Sequence, residues 1–331
     1  MATTATSAAA PRTVAHQGSS GAGGKGGWLR RAGPRRAFLA TAHCRMKLMC
    51  ELLGMECNVP TDIVFSFTGF ALRGGKTGPH ADGWGLALYD GKFARSFLEP
   101  TPACASVVAD FIRGNPIKTL LAVAHVRRKT RGQASLVNTH PFQRALWGRH
   151  WVFAHNGTLP RIKDKPLRFE QPVGETDSEH AFCWMIEELR AAFPDGYPQK
   201  PRRLWKVIAE LGGELGAEGK FNFLLADGQH LYARCGTKLC HIVRPAPFGR
   251  ATLRDAELAI DFSAVTRATD RVAVVATEPL TRDEAWQQGT PGTLWVFRRG
   301  ALAATLPSRG ARLDHEVAPR RRASAPRARA A

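Results

Sequence analysis

Apolar positions in this chain gather in short blocks. Continuous runs at 84–89, 120–126, 151–154, 221–225, 272–276 and 294–297 are flanked by Gly or Asp and have the length of strands. Asp90-Gly91 and Asp227-Gly228 sit between such runs and predict hairpin turns. Two stretches repeat at the helical period instead. In 177–192, Phe182, Met185, Ile186 and Leu189 share one face, with Ser178 and Glu179 near the start. The second runs from about 202 to 215. No internal repeat is visible. Strands and helices are not strictly interleaved, which argues against a doubly wound parallel sheet and predicts an α+β fold.

The chain has 331 residues, 44% of them hydrophobic, which is ample for a packed core in one or two domains. No apolar run approaches the ~20 residues of a membrane helix, so a soluble protein with no membrane partner is expected. The seven cysteines, Cys44, Cys50, Cys57, Cys104, Cys183, Cys235 and Cys240, form no CxxC pair. Their odd count and the lack of a secretory signal argue against a disulfide framework, and their spacing against a zinc site. A cytoplasmic location is the expectation.

The net charge of +19 would suggest nucleic acid. Its placement does not. Residues 1–49 carry eight Lys/Arg and no acid, and residues 308–331 carry seven Arg against Asp314 and Glu316. That leaves +6 for 50–307, and with three Tyr and no aromatic–basic stacking motif no specific nucleic-acid partner is expected. Both tails are too poor in large apolar residues to offset their ordering entropy, so both are predicted to be disordered. The first of them reads as a disordered extension, a transit peptide, or a segment never translated, with the start at Met46 or Met49. The last is favoured, so 1–49 is expected to be absent or removed, leaving a catalytic domain at 50–307 and a basic tail at 308–331.

Four short segments could carry chemistry. Met49-Cys50 precedes an apolar strand. Taken alone, Cys50 reads as a buried structural thiol. An initiator Met before a small residue is removed, however, and a terminal Cys would carry its own base, an α-amine with a pKa near 7.7–8.0. His125 to Gly132 follows a strand; its Arg127 is suited to a two-point grip on a carboxylate, although a solvated basic loop has the same composition. Asn138-Thr139-His140-Pro141 comes soon after. His155-Asn156-Gly157 is either a turn or a pair of oxyanion donors. Gly174 to His180 opens the first helix, where Thr176 or Asp177 caps and a carboxylate could bind an ammonium.

In this order the four segments resemble the class II glutamine amidotransferases, the N-terminal-nucleophile type. The resemblance covers Cys50 to about residue 300 and is closest to the stand-alone glutaminase-domain branch. It includes 58–62, Arg73-Gly74-Gly75, Gly78-Pro79-His80, Asp82-Gly83-Trp84-Gly85, Ala246-Pro247-Phe248-Gly249 and Thr277-Glu278-Pro279-Leu280-Thr281. It implies a four-layer αββα sandwich of two antiparallel sheets. It implies Cys50 as nucleophile, with Asn156 and the Gly157 N–H as oxyanion hole. Arg127 would hold the α-carboxylate of glutamine and Asp177 its α-ammonium, with Thr130 and His140 lining the pocket. Arg131 departs from the pattern and is given no role. No metal or organic cofactor is implied. The substrate is a small molecule, either glutamine, with ammonia released or passed to an unidentified synthase partner, or a γ-glutamyl conjugate. Outside enzymes, non-specific nucleic-acid binding or an inactive scaffold would be the alternatives, and the complete Cys, Arg, Asn-Gly and Asp set argues against the scaffold. The Gly-rich stretch 73–78 is a candidate lid.

Overall fold

A computed structural model describes residues 50–129, 134–264 and 266–309. Along the chain the strands are β1 (Glu51–Asp62), β2 (Trp84–Asp90), β3 (Phe93–Glu99), β4 (Lys118–Val126), β5 (Phe142–Leu146), β6 (Arg149–Thr158), β7 (Lys220–Ala226), β8 (Leu231–Cys235), β9 (Cys240–Pro245), β10 (Arg250–Thr252), β11 (Ala259–Asp261), β12 (Arg271–Ala276), β13 (Gln287–Gln288), β14 (Thr293–Arg298) and β15 (Ala301–Pro307). The α-helices are α1 (Val64–Arg73), α2 (Val107–Gly114), α3 (Asp177–Ala192) and α4 (Pro201–Glu218).

The strands form two large antiparallel sheets. The first has the order β13-β9-β12-β1-β4-β2-β3, which puts β1 at its centre; the second has β15-β14-β8-β7-β6-β5. A short β10–β11 ribbon stands apart. Each of the six predicted strands lies within one of these, and the two Asp-Gly pairs begin the β2–β3 and β7–β8 hairpin connections.

Three apolar clusters separate four layers. Between the sheets, Leu52, Val123 and Val275 meet Ala154, Leu224, Ala233 and Phe297. On the outer face of the first sheet, Leu53, Met55 and Ala124 meet Phe67 and Phe70 of α1 and Ile112 of α2. On the outer face of the second, Trp151, Phe153 and Phe223 meet Phe182, Met185, Ile186 and Leu189 of α3 and Leu204, Ile208 and Leu215 of α4. The architecture is therefore the expected αββα sandwich. Successive residues of β1 point to opposite faces, so Leu52 enters one cluster and Leu53 the next. With both faces covered, the core strands have no polar side to show, which is why they read as unbroken apolar runs. Each fully buried Leu or Phe contributes about 1.5–3 kcal/mol.

The caps of α3 are local. Thr176 accepts from the Glu179 N–H at 3.1 Å, and the Glu179 carboxylate reaches back to the N–H groups of Val173 and Gly174. By contrast, α1 has no side-chain cap at its N-cap residue, and α2 has a local cap, Ser106 Oγ accepting from the Ala109 N–H at 2.9 Å, but little length. The first, VFSFTGFALR, is rich in aromatic residues and broken by Gly69, which packs on Leu253. The second is only eight residues long. Both hold because the outer face of the first sheet must be covered.

At the end of β1 remote from Cys50 lies an apolar cavity of about 720 Å³, lined by Met55, Val64, Phe65, Phe248, Phe262 and Val274 among others.

Candidate active site

Cys50 stands immediately before the central strand. The register Glu51↔Val126 brings it level with Arg127, the first residue after β4. Its thiol is held by the next residue: the Arg128 N–H donates to Sγ at 3.2 Å, and the S–H donates to the Arg128 carbonyl at 3.2 Å. Burial pushes the thiol pKa up to about 11, against the Arg128 N–H and the charge of Arg127, which pull it down. Behind it, the buried Arg73 guanidinium binds Glu51 at 2.8 Å, Asp255 at 2.7 Å and the carbonyls of Glu278 and Pro279. The stretch 73–78, expected as a lid, thus begins in a clamp. A bridge between Gly74 and Pro79 closes it, and none of its residues lines the Cys50 cavity.

The second sheet supplies the opposite wall through the end of β6. Gly157 faces the cavity, and a Cβ there would come 1.7 Å from the Lys220 carbonyl, so no other residue fits. Asn156 is buried beside it. Its carbonyl accepts from Asn222 at 2.9 Å, and its side-chain amide lies 3.4 Å from the Thr277 hydroxyl. His155 is held between Ser178 Oγ at 2.8 Å and the Lys220 carbonyl at 3.1 Å, and burial lowers its pKa.

Asp177 opens α3. One carboxylate oxygen accepts from the Leu159 N–H at 2.7 Å and the other from the Ser178 N–H at 2.9 Å. These bonds aim the carboxylate while leaving lone pairs for a cation. The cavity that joins these groups measures about 380 Å³ and is lined by Cys50, Arg127, His140, Gly157 and Asp177, with Arg128, Lys163 and Glu175 among the others. His140 is buried and its ring lies 4.3 Å from that of His125. Burial, then the neighbouring His125, holds its pKa well below the usual value, so it is a neutral wall.

Of the residues singled out from sequence, Cys50, Arg127, His140, Gly157 and Asp177 share one cavity. Asn156 stands directly behind that wall, and Thr130 lies outside the described residues. Sequence reading missed Thr277, Ser178, Asn222 and the Arg73–Glu51 pair as parts of the site. Thr277 and Arg73 were visible only as pieces of a family-like stretch, because their partners are remote in the chain. Among the described residues, no cluster of three or more His, Cys, Asp or Glu could hold a metal, and no helix is long and apolar enough to cross a membrane.

The family model described as glutamine amidotransferases class-II matches residues 49–321. "Putative glutamine amidotransferase YafJ" of Escherichia coli (strain K12) is 50% identical over 252 residues, covering 76% of this chain and 98% of that protein. The crystal structure of a "predicted glutamine amidotransferase" from Pseudomonas aeruginosa PA01 is 42% identical with a TM-score of 0.62, covering 77% of this chain and all of that one. More distant is "Gamma-glutamyl-hercynylcysteine sulfoxide hydrolase" of Mycobacterium tuberculosis, 26% identical over 171 residues, which are 50% of this chain and 64% of that protein. The chain belongs to the class-II glutamine amidotransferase family.

Proposed function

Taking membership of the class-II glutamine amidotransferases as the premise, we propose that this protein hydrolyses the side-chain amide of glutamine with the Cys50 thiol, in a form that begins at Cys50. The observation that carries the reading is the thiol itself. It is held at 3.2 Å by both the N–H and the C=O of Arg128, in a cavity shared with Arg127, Gly157 and Asp177.

Arg127 takes the α-carboxylate through paired hydrogen bonds, and Asp177 takes the α-ammonium. This grip holds the amide carbon against Sγ. Attack places negative charge on the amide oxygen, which the Gly157 N–H and the Asn156 amide stabilise. The α-amine of Cys50 accepts the thiol proton and passes it to the departing ammonia. Water then cleaves the γ-glutamyl thioester to glutamate. The ammonia is released, or handed to a separate acceptor protein.

A thiol pushed up to about 11 is ionised in only about one molecule in 10⁴ at pH 7. With residue 49 attached, the nitrogen of Cys50 is an amide and cannot relieve this. The form that retains residues 1–49 is therefore latent. The form that begins at Cys50 gains activity as pH rises through the amine pKa near 7.7–8.0.

The test is the intact mass of the purified protein together with its glutaminase activity. A mass beginning at Cys50 and turnover lost in Cys50→Ala are expected. Equal turnover in wild type and Cys50→Ala would overturn the assignment. A second reading, cleavage of a γ-glutamyl conjugate, has the support of the hydrolase relative and of a cavity within the size range of sites for larger ligands. Comparing kcat/KM for glutamine with that for γ-glutamyl amides separates the two.

A further inference from the structure

We propose that Thr277 is a positioning residue, whose hydroxyl ties the nucleophile strand to Asn156 and turns the N–H end of that amide toward the reacting carbonyl. The inference rests on the reading of Asn156 as an oxyanion donor.

Thr277 follows β12 in the first sheet, and its place is fixed from several sides. Its N–H donates to the Leu52 carbonyl at 3.1 Å, and its Oγ1 accepts from the Leu52 N–H at 3.0 Å. The carbonyls of the next two residues, Glu278 and Pro279, are held by Arg73, which also holds Glu51. The hydroxyl is thus locked to Leu52, and the segment that follows it is tied through Arg73 to Glu51. Across the gap between the sheets the hydroxyl lies 3.4 Å from the Asn156 amide. The main chain of Asn156 is anchored separately by Asn222.

Counting protons decides how the amide turns. A hydroxyl has one proton to give and can accept twice. Thr277 Oγ1 has already accepted from Leu52, so its own proton needs an acceptor, and the side-chain oxygen of Asn156 is one. The two ends of a primary amide have nearly the same shape, and hydrogen bonding settles which is which. As placed, the Asn156 Nδ2 donates to Thr277 Oγ1 at 3.4 Å and its Oδ1 is buried with no partner, which gives the hydroxyl two donors and its own proton no acceptor. Turned over, the amide accepts that proton on its oxygen, and the unpartnered end becomes an NH₂ group. A buried donor without an acceptor is unfavourable, and an oxyanion forming beside it removes that deficit. Left as placed, the amide would present its carbonyl oxygen to the developing charge and oppose it. Its chain neighbours His155 and Gly157 both line the cavity, so Asn156 belongs to the strand that forms this wall.

The experiment compares Thr277→Val, Thr277→Ser and the parent, prepared identically, with glutamine and a γ-glutamyl amide as substrates. Thr277→Val is expected to lower kcat by about 10- to 100-fold and leave KM within about twofold. Thr277→Ser, which keeps the hydroxyl, is expected to restore kcat to within about threefold of the parent. In Asn156→Ala the loss of Thr277→Val should vanish, because the hydroxyl then has nothing to orient. Thr277→Val also strands the Leu52 N–H, so thermal melts accompany the kinetics. A drop in kcat that serine fails to restore, a change in KM alone, or losses that add to those of Asn156→Ala would each overturn the inference. Parental kcat in Thr277→Val, with turnover still dependent on Cys50, removes this inference alone. Turnover unaffected by Cys50→Ala removes the functional reading and this inference with it.

Discussion

At one end of β1 lies a cavity of about 380 Å³ walled by Cys50, Arg127, His140, Gly157 and Asp177; at the other lies one of about 720 Å³ walled by Met55, Phe65, Phe248 and Phe262. The same strand, roughly 40 Å long, serves both. The larger cavity is the more apolar and the smaller one holds the convergent polar groups. Size alone favours the apolar end. What marks the smaller cavity is that its polar atoms are aimed by second partners: Arg128 on the thiol, Leu159 and Ser178 on Asp177.

The contrast can be broken most directly on β1 itself. Cys50→Ala should abolish hydrolysis, a loss on the order of 10⁴- to 10⁶-fold in kcat. Cys57→Ala should leave turnover intact, because that thiol, pushed up to about 12 by burial, only donates to the carbonyls of Thr119 and Leu120. Equal losses in both would mean that the strand matters and the position does not. Next in size, Arg127→Gln and Asp177→Asn should each cut kcat/KM by about 10²-fold, since each removes a charged partner of the substrate. Steady-state kinetics with glutamine checks this.

At the apolar end the expected effects are on stability. Phe248→Ala should cost about 2–4 kcal/mol in denaturant unfolding while kcat/KM stays within about twofold. A catalytic defect there would show that the two ends are coupled. The smallest effect separates the ends by pH. Burial, then the charge of Arg127, lowers the His125 pKa to about 3 from an ordinary 6.5. The unfolded chain therefore binds more protons between those values. The contribution of His125 is complete above about pH 6.5 and is lost as pH falls toward 3. His125→Phe should flatten that slope, and Phe248→Ala should not, in unfolding curves taken between pH 4.5 and 7.

Much of the second sheet and its helices was legible in the chain. The bounds 177–192 coincide with α3, and 202–215 falls inside α4, because those helices are long, 16 and 18 residues, and repeat apolar positions at the helical spacing. The helices over the first sheet were not legible. Val64 to Arg73 has aromatic residues on several sides and a glycine in the middle, so its local preference says little and the sheet below it decides. The site divides the same way. Cys50, Arg127, Gly157 and Asp177 stand at strand or helix ends, where residue type and position in the chain carry information. Thr277 and Arg73 act through partners 225 and 205 residues away, and nothing local records such a contact.

The pairing of Leu52 with Thr277 also sets a timetable. The strand that follows Cys50 leaves the ribosome early, but the residue that completes its hydrogen bonding is 225 positions downstream. At roughly 5–20 residues per second, synthesis holds the two apart for some tens of seconds. During that interval β1 lacks β12 as well as Thr277, so in a nascent chain ending before residue 271 one edge of the strand has no partner. A truncated product would hold the thiol without its setting, and activity would arrive only with the last quarter of the polypeptide.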